Sequence, residues 1–130
     1  MSKDQFSDLD VTVPAEPEYL QQLRRLVRLF AQRAGANEAM IADMVLAANE
    51  ACANVIVHAY PEQGGPLKLR AWETENRLSI EVSDNGTPVA KPAPGKDGGR
   101  GLQLIRSVCD DVQMEGPGEY GTRLEMHFAL

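Results

Sequence analysis

An α/β domain with helices laid over one face of a sheet is the fold class this sequence predicts, and three observations predict it. Segments whose apolar residues recur at helical spacing alternate along the chain with segments of period two. The period-two segments carry one apolar side only: Leu78, Ile80 and Val82 stand between Ser79, Glu81 and Ser83, the pattern of a sheet with one face against helices. A length of 130 residues with 43% apolar composition supports a single domain, 1–130, whose core folds without disulfide staples.

In chain order, residues 1–7 read as a loose start. Leu9, Val11 and Val13 then alternate with Asp10 and Thr12 as a half-buried strand limited by Pro14. From Glu16 to Gly35, Leu20, Leu23, Leu26, Val27, Phe30 and Ala31 form the apolar side of an amphipathic helix that Gly35 ends. Its arginines, Arg24, Arg25, Arg28 and Arg33, make either a solvated face or one that an acidic partner uses; spacing does not separate the two. Asn37 caps a second helix, with Glu38 in its first turn where negative charge suits the dipole, and that helix runs to about Tyr60, where Pro61 stops it. Two strands follow, Leu67 to Thr74 and Leu78 to Ser83, joined in a tight antiparallel hairpin at Glu75 and Asn76. Between Thr87 and Gly99, prolines and glycines crowd a stretch with almost no large apolar side chain, predicting a mobile segment. Leu102, Leu104, Ile105 and Val108 then mark a short helix ending near Cys109. Strands over Val112 to Glu115 and Arg123 to Phe128 close the chain, with Gly116, Pro117 and Gly118 as the turn between them.

Composition narrows the function classes. A net charge of −6 disfavours a nucleic-acid surface, which needs clustered Lys and Arg. No apolar run reaches the roughly 20 residues that cross a bilayer, and the amino terminus lacks a signal-peptide apolar core, so no membrane association and a cytoplasmic location are expected. Cys52 and Cys109 are far apart in sequence and sit among apolar neighbours, with no Cys-x-x-Cys or Cys/His cluster. They read as reduced packing residues, with a disulfide open only if the fold brings them together.

The chemistry-bearing residues begin in the second helix. Val45, Ala48, Cys52, Val55, Ile56 and Ala59 share an apolar side, whereas Glu50, Asn54 and His58 form a polar row at i, i+4 spacing, with small Ala47 and Ala51 leaving room beside them. Asp84-Asn85-Gly86 closes a strand: an ionised Asp can accept from an exocyclic amine while Gly86 admits a planar ring, although Asx-Gly is also an ordinary turn. Gly98-Gly99-Arg100-Gly101 opens the third helix, whose free amides suit an anion. No Walker-type phosphate loop or dinucleotide fingerprint is present.

In order, Glu50-x-x-x-Asn54-x-x-x-His58-Ala59-Tyr60, Asp84-x-Gly86, Gly99-x-Gly101-Leu102 and Gly121-Thr122 resemble the boxes of the GHKL ATPase superfamily. More closely, they resemble bacterial anti-sigma factor serine/threonine kinases, of which Leu102 to Val112 is also typical. That resemblance implies a two-layer sandwich of the Bergerat type, a mixed, mainly antiparallel sheet with three helices on one face, using ATP and Mg²⁺. It implies Glu50 as general base, Asn54 as magnesium ligand within the ATP site, Asp84 as adenine acceptor and Gly86 as its close-contact partner. Gly99, Arg100, Gly101 and Leu102 would bind the phosphates, Thr122 would reach the adenine end, and Thr87 to Gly98 would be the ATP lid. His58 would pack and hydrogen-bond rather than ligate metal. Pro88 departs from the wider superfamily, where a second glycine often follows, and stiffens the first hinge of the lid. The implied partners are a STAS-type anti-anti-sigma protein, phosphorylated on serine, and a sigma factor sequestered when that protein is phosphorylated; a homodimer is compatible with this. Two alternatives are a nucleotide-gated binding module without transfer activity and the detached ATPase part of a two-component system.

Overall fold

The period-two segments pair into one sheet. The computed structural model describes residues 8–61, 64–86, 97–118 and 121–130, with the main chain alone at 97–100. The expected loose start lies outside the described residues, as does the expected lid as far as residue 96. The strands are β1 (Leu9–Pro14), β2 (Pro66–Glu73), β3 (Arg77–Asp84), β4 (Asp111–Gly118) and β5 (Gly121–Ala129). They lie in the order β1-β2-β3-β5-β4, and every described pairing is antiparallel, so the sheet is wholly rather than mainly so.

Helices α1 (Leu20–Arg33), α2 (Glu38–His58) and α3 (Asp97–Val108) complete the fold. The amphipathic stretch from Glu16 enters through a separate 3-10 turn, Pro17–Tyr19, because Pro17 supplies no amide to the ladder. Gly35, at φ +86°, ends α1 in the left-handed conformation that glycine adopts without a Cβ penalty. The Ala36 amide then reaches the Ala31 carbonyl at 3.0 Å and the Gly35 amide the Gln32 carbonyl at 3.1 Å, closing the helix end. Asn37 caps α2 as predicted, its side-chain oxygen accepting from the Met40 amide at 2.8 Å.

The helix-facing side of the sheet is one apolar surface. Register aligns Val11, Leu69, Val82 and Leu124 in one row and Leu9, Ala71, Ile80 and Met126 in the next. Apart from the half-buried Leu9 and Val11 on the edge strand, these residues are buried. Complete burial of one such side chain stabilises by about 1.5–3 kcal/mol, which is what binds helices and sheet together. Among the described residues α2 alone is long and apolar enough for a bilayer span, but eight of its residues are buried inside the protein, as in a core helix.

The opposite side of the sheet is polar and internally paired. Glu81 lies 3.3 Å from Arg70 and 3.7 Å from Arg123, Arg70 stacks over Trp72, and the Ser79 hydroxyl and His127 Nδ1 are 2.6 Å apart. The Gly116-Pro117-Gly118 turn is corrected: these residues belong to β4, where the register shifts between Glu115 and Gly118, and Gly118 pairs with Gly121. Glycine and proline here produce an irregular strand end rather than the turn itself. Both thiols are free, and burial, joined at Cys109 by Asp110 and Asp43, pushes each up to about 12, so neither ionises near neutral pH.

Candidate functional site

Residue alternation carries Asp84 into the space between the layers. Leu78, Ile80, Val82 and Asp84 occupy one side of β3, so the strand that buries three apolar residues ends by aiming a carboxylate the same way. Thr122 stands opposite Asp84 in register and belongs to the matching side of β5, with Leu124, Met126 and Phe128. Asp84 is 8% exposed. Burial pushes its carboxyl up, opposed by hydrogen bonds from the Gly86 and Thr122 amides, the former at 2.9 Å to Oδ1.

Backbone meets backbone around this carboxylate. Gly86 abuts the Ala59 carbonyl just beyond α2, so closely that a Cβ would collide with it. Gly121, at φ +94°, abuts the Asp84 carbonyl in the same manner. Glycine is therefore required at both positions, by close approach at each and by conformation at Gly121.

The second half of the site forms where α3 crosses α2. A Cβ on Gly101 would stand 3.1 Å from Asn54 Nδ2, 3.3 Å from Asn54 Oδ1 and 3.5 Å from Glu50 Oε1. The amino-terminal part of α3 is thus brought directly onto the polar row predicted from spacing. From Glu50 to Ala59 the axis of α2 extends about 13 Å at about 1.5 Å per residue, which is the separation along the helix between Glu50 and the Gly86 contact beside Asp84.

The glycines open α3 as expected: the helix starts at Asp97, so Gly98 and Gly99 fall in its first turn and Gly101 follows directly after it. Gly99 is therefore helical, while the Arg100 side chain lies outside what is described. Other expectations are modified. Leu102 is a partly buried residue packed against the core, and its amide lies beyond the free amides of the helix start, so it supports the site by packing. Ala47 and Ala51 do not line open space beside the polar row: both are buried, because α3 lies against α2. His58 does not pack; it is exposed in the last turn of α2. Arg24 leaves the arginine face to donate to Asn49 Oδ1 at 2.8 Å across the α1–α2 contact.

Tyr60 is the residue that spacing did not assign. Its hydroxyl donates to the Pro66 carbonyl at 2.6 Å and accepts from the Asn85 amide at 2.7 Å. Those partners are 6 and 25 positions away in the chain, beyond any helical or strand period.

The profile of the histidine kinase-like ATPase domain matches residues 13–128. The chain belongs to the histidine kinase-like ATPase family. Within that family it is 32% identical over 126 residues to the serine-protein kinase RsbW of Bacillus thuringiensis (strain Al Hakam), covering 85% of this chain and 79% of the relative. The serine-protein kinase RsbW of Bacillus anthracis (strain A0248) matches to the same extent. The crystal structure of the RsbU and RsbW domains of a Mycobacterium tuberculosis protein shares the fold, with a TM-score of 0.74 and 21% identity over 92% of this chain, which spans 31% of that longer chain. The family's two-layer architecture is the one built here from α1 to α3 and the five-stranded sheet.

Proposed function

We propose that this chain is an ATP-dependent serine/threonine protein kinase and anti-sigma regulatory factor, with adenine at Asp84 and the triphosphate running along α2 to the first turn of α3. The observation that carries the reading is the seat of Gly101 on Asn54 and Glu50, where an added Cβ would stand 3.1 Å from the Asn54 amide nitrogen. A glycine lets the start of α3 lie against the pair without crowding it, and leaves the free first-turn amides near them. Membership of the ATPase family and the likeness to serine-protein kinases support ATP as the phosphoryl donor. The phosphorylated partner is proposed to be a STAS-type anti-anti-sigma protein, the sequestered one a sigma factor, and the working compartment the cytoplasm.

Each residue then has a task that its chemistry suits. Asp84 accepts the hydrogen bond of the adenine amine, Gly86 admits the ring, and Thr122 adds a hydroxyl beside Asp84. Asn54, a hard neutral oxygen donor, would hold Mg²⁺ together with phosphate oxygens and water, which fits the absence of any ready-made carboxylate or His cluster among the described residues. When bound, the ion would neutralise charge on the phosphates, a need sharpened by the protein's own net charge of −6. The free first-turn amides of α3, that of Gly99 among them, with Arg100, would provide the remaining positive field. Glu50 takes the proton of the substrate serine as its oxygen bonds to the terminal phosphorus; the bond from that phosphorus to the bridging oxygen breaks, and ADP leaves.

Labelled ATP and a STAS protein with its acceptor serine test this directly. The native chain is expected to transfer the label, and Glu50→Ala to bind ATP normally while transferring roughly 10²- to 10⁴-fold more slowly, the usual contribution of a general base. Absence of transfer by the native chain, with sigma-factor binding that tightens with ATP, would replace the kinase reading by a nucleotide-gated binding module.

A further inference from the structure

One oxygen atom at the end of α2 governs the turn that carries Asp84. The Tyr60 hydroxyl donates to Pro66 O at 2.6 Å and accepts from Asn85 N at 2.7 Å, so it ties the start of β2 to the residue after Asp84. The next amide, that of Gly86, donates to Asp84 Oδ1 at 2.9 Å. Two consecutive amides are thereby fixed, the first by Tyr60 and the second by the carboxylate itself. Tyr60 cannot drift, because its ring lies where a Cβ on Gly65 would be, and the adjoining Ala59 carbonyl is pressed against Gly86. Burial, with Asp84 as a further cause and the Asn85 amide opposing, raises the phenol, which therefore stays a neutral donor through the physiological range.

We propose that Tyr60 is a positioning residue for base recognition: by holding the Asn85 amide it sets the turn through which Gly86 orients the Asp84 carboxylate toward an adenine amine. The proposal rests on the reading of Asp84 as the base acceptor and adds to it the group that aims it. A carboxylate offers about four lone-pair sites. The amides of Gly86 and Thr122 take two, leaving the base a direction that depends on how the turn is held. Tyr60 touches neither phosphate nor serine in this scheme, so its effect belongs to the base alone.

Tyr60→Phe keeps the ring against Gly65 and removes both hydrogen bonds. In the full chain with magnesium, its affinities for ATP and for inorganic triphosphate are compared, alongside KM and kcat for serine phosphorylation. The expected result is ATP affinity and KM weakened about fivefold, the worth of roughly one hydrogen bond, with triphosphate affinity unchanged and kcat within about twofold. Equal weakening of ATP and triphosphate would mean general loosening and overturn the proposal, as would unchanged ATP affinity. Asp84→Asn, measured in parallel, separates the two layers of inference. If it leaves ATP binding intact, the base-acceptor reading fails; if it weakens ATP while Tyr60→Phe does not, only the role of Tyr60 fails. Should Tyr60→Phe not fold, Gly65→Ala displaces the ring while retaining the hydroxyl. A loss confined to ATP then supports the proposal, and equal losses, or none, reject it.

Discussion

The two ends of the site are built by different means. At the Asp84 end, main chain touches main chain: Gly86 against Ala59 and Gly121 against the Asp84 carbonyl, with the Tyr60 hydroxyl joining β2 to the Asp84 turn. At the Glu50 end, a helix start meets two side chains, and the nearest approach is the 3.1 Å that Gly101 would present to an amide nitrogen. Backbone contacts cannot relax without moving strands, whereas side chains can rotate by a few tenths of an ångström. On the proposed reading, the base end would be preorganised while the phosphate end could yield as the reacting group changes.

This contrast can be broken most severely at Gly121. Gly121→Ala puts a Cβ on a residue at φ +94° and into the Asp84 carbonyl. Left-handed strain and overpacking together are expected to cost on the order of 3 kcal/mol, read as a lower urea midpoint at unchanged slope. A midpoint within error of the native protein would mean that the strand end yields easily and that the base pocket is not rigid.

Asp84→Asn sharpens the same comparison through chemistry instead of sterics. Replacing a charged acceptor with an amide is expected to weaken ATP by about 10- to 100-fold in calorimetry, since hydrogen bonds to charged groups are worth about 1.5–3 kcal/mol. The fold should persist, because burial of the ionised carboxylate is itself unfavourable: its folded pKa is raised above the unfolded value. Its stabilising contribution is complete below the unfolded pKa of about 4 and is lost as pH rises through the folded one. Over that window the native protein should lose stability while gaining ATP affinity, as the acceptor ionises. Asp84→Asn should flatten both trends, and thermal unfolding and binding measured from pH 4 to 7 check them together.

The smallest effect is expected at the other end. Gly101→Ala gains helix propensity worth up to about 1 kcal/mol but crowds Asn54 and Glu50. Stability should change little while phosphoryl transfer falls roughly tenfold, below the roughly 100-fold cost of a 1 Å misplacement. Transfer at the native rate would show that the contact of α3 with the polar row is not used in the reaction.

The sequence by itself determined the elements and nominated the candidate site residues. Period two located β1 and β3, runs between turn signals placed β2, β4 and β5, helical spacing together with Asn37 and Gly35 bounded α1 and α2, and i, i+4 spacing put Glu50 and Asn54 on one side of a helix. These features are local: each depends on residues a few positions apart, whose geometry the backbone period dictates. The alternation Leu78, Ile80, Val82, Asp84 also contains the direction of the Asp84 carboxylate, which is buried on the same side of β3. Tertiary structure decided what fills the space around those residues. Ala47 and Ala51 are buried under α3 rather than open beside the polar row, Gly116 to Gly118 continue β4, His58 faces out, and Tyr60 reaches Pro66 and Asn85. None of these follows from a period, because each is set by which element lies across from it. That choice is made by whole-surface burial and by the close approaches that Gly65, Gly86, Gly101 and Gly121 permit, interactions between residues that chain order leaves far apart.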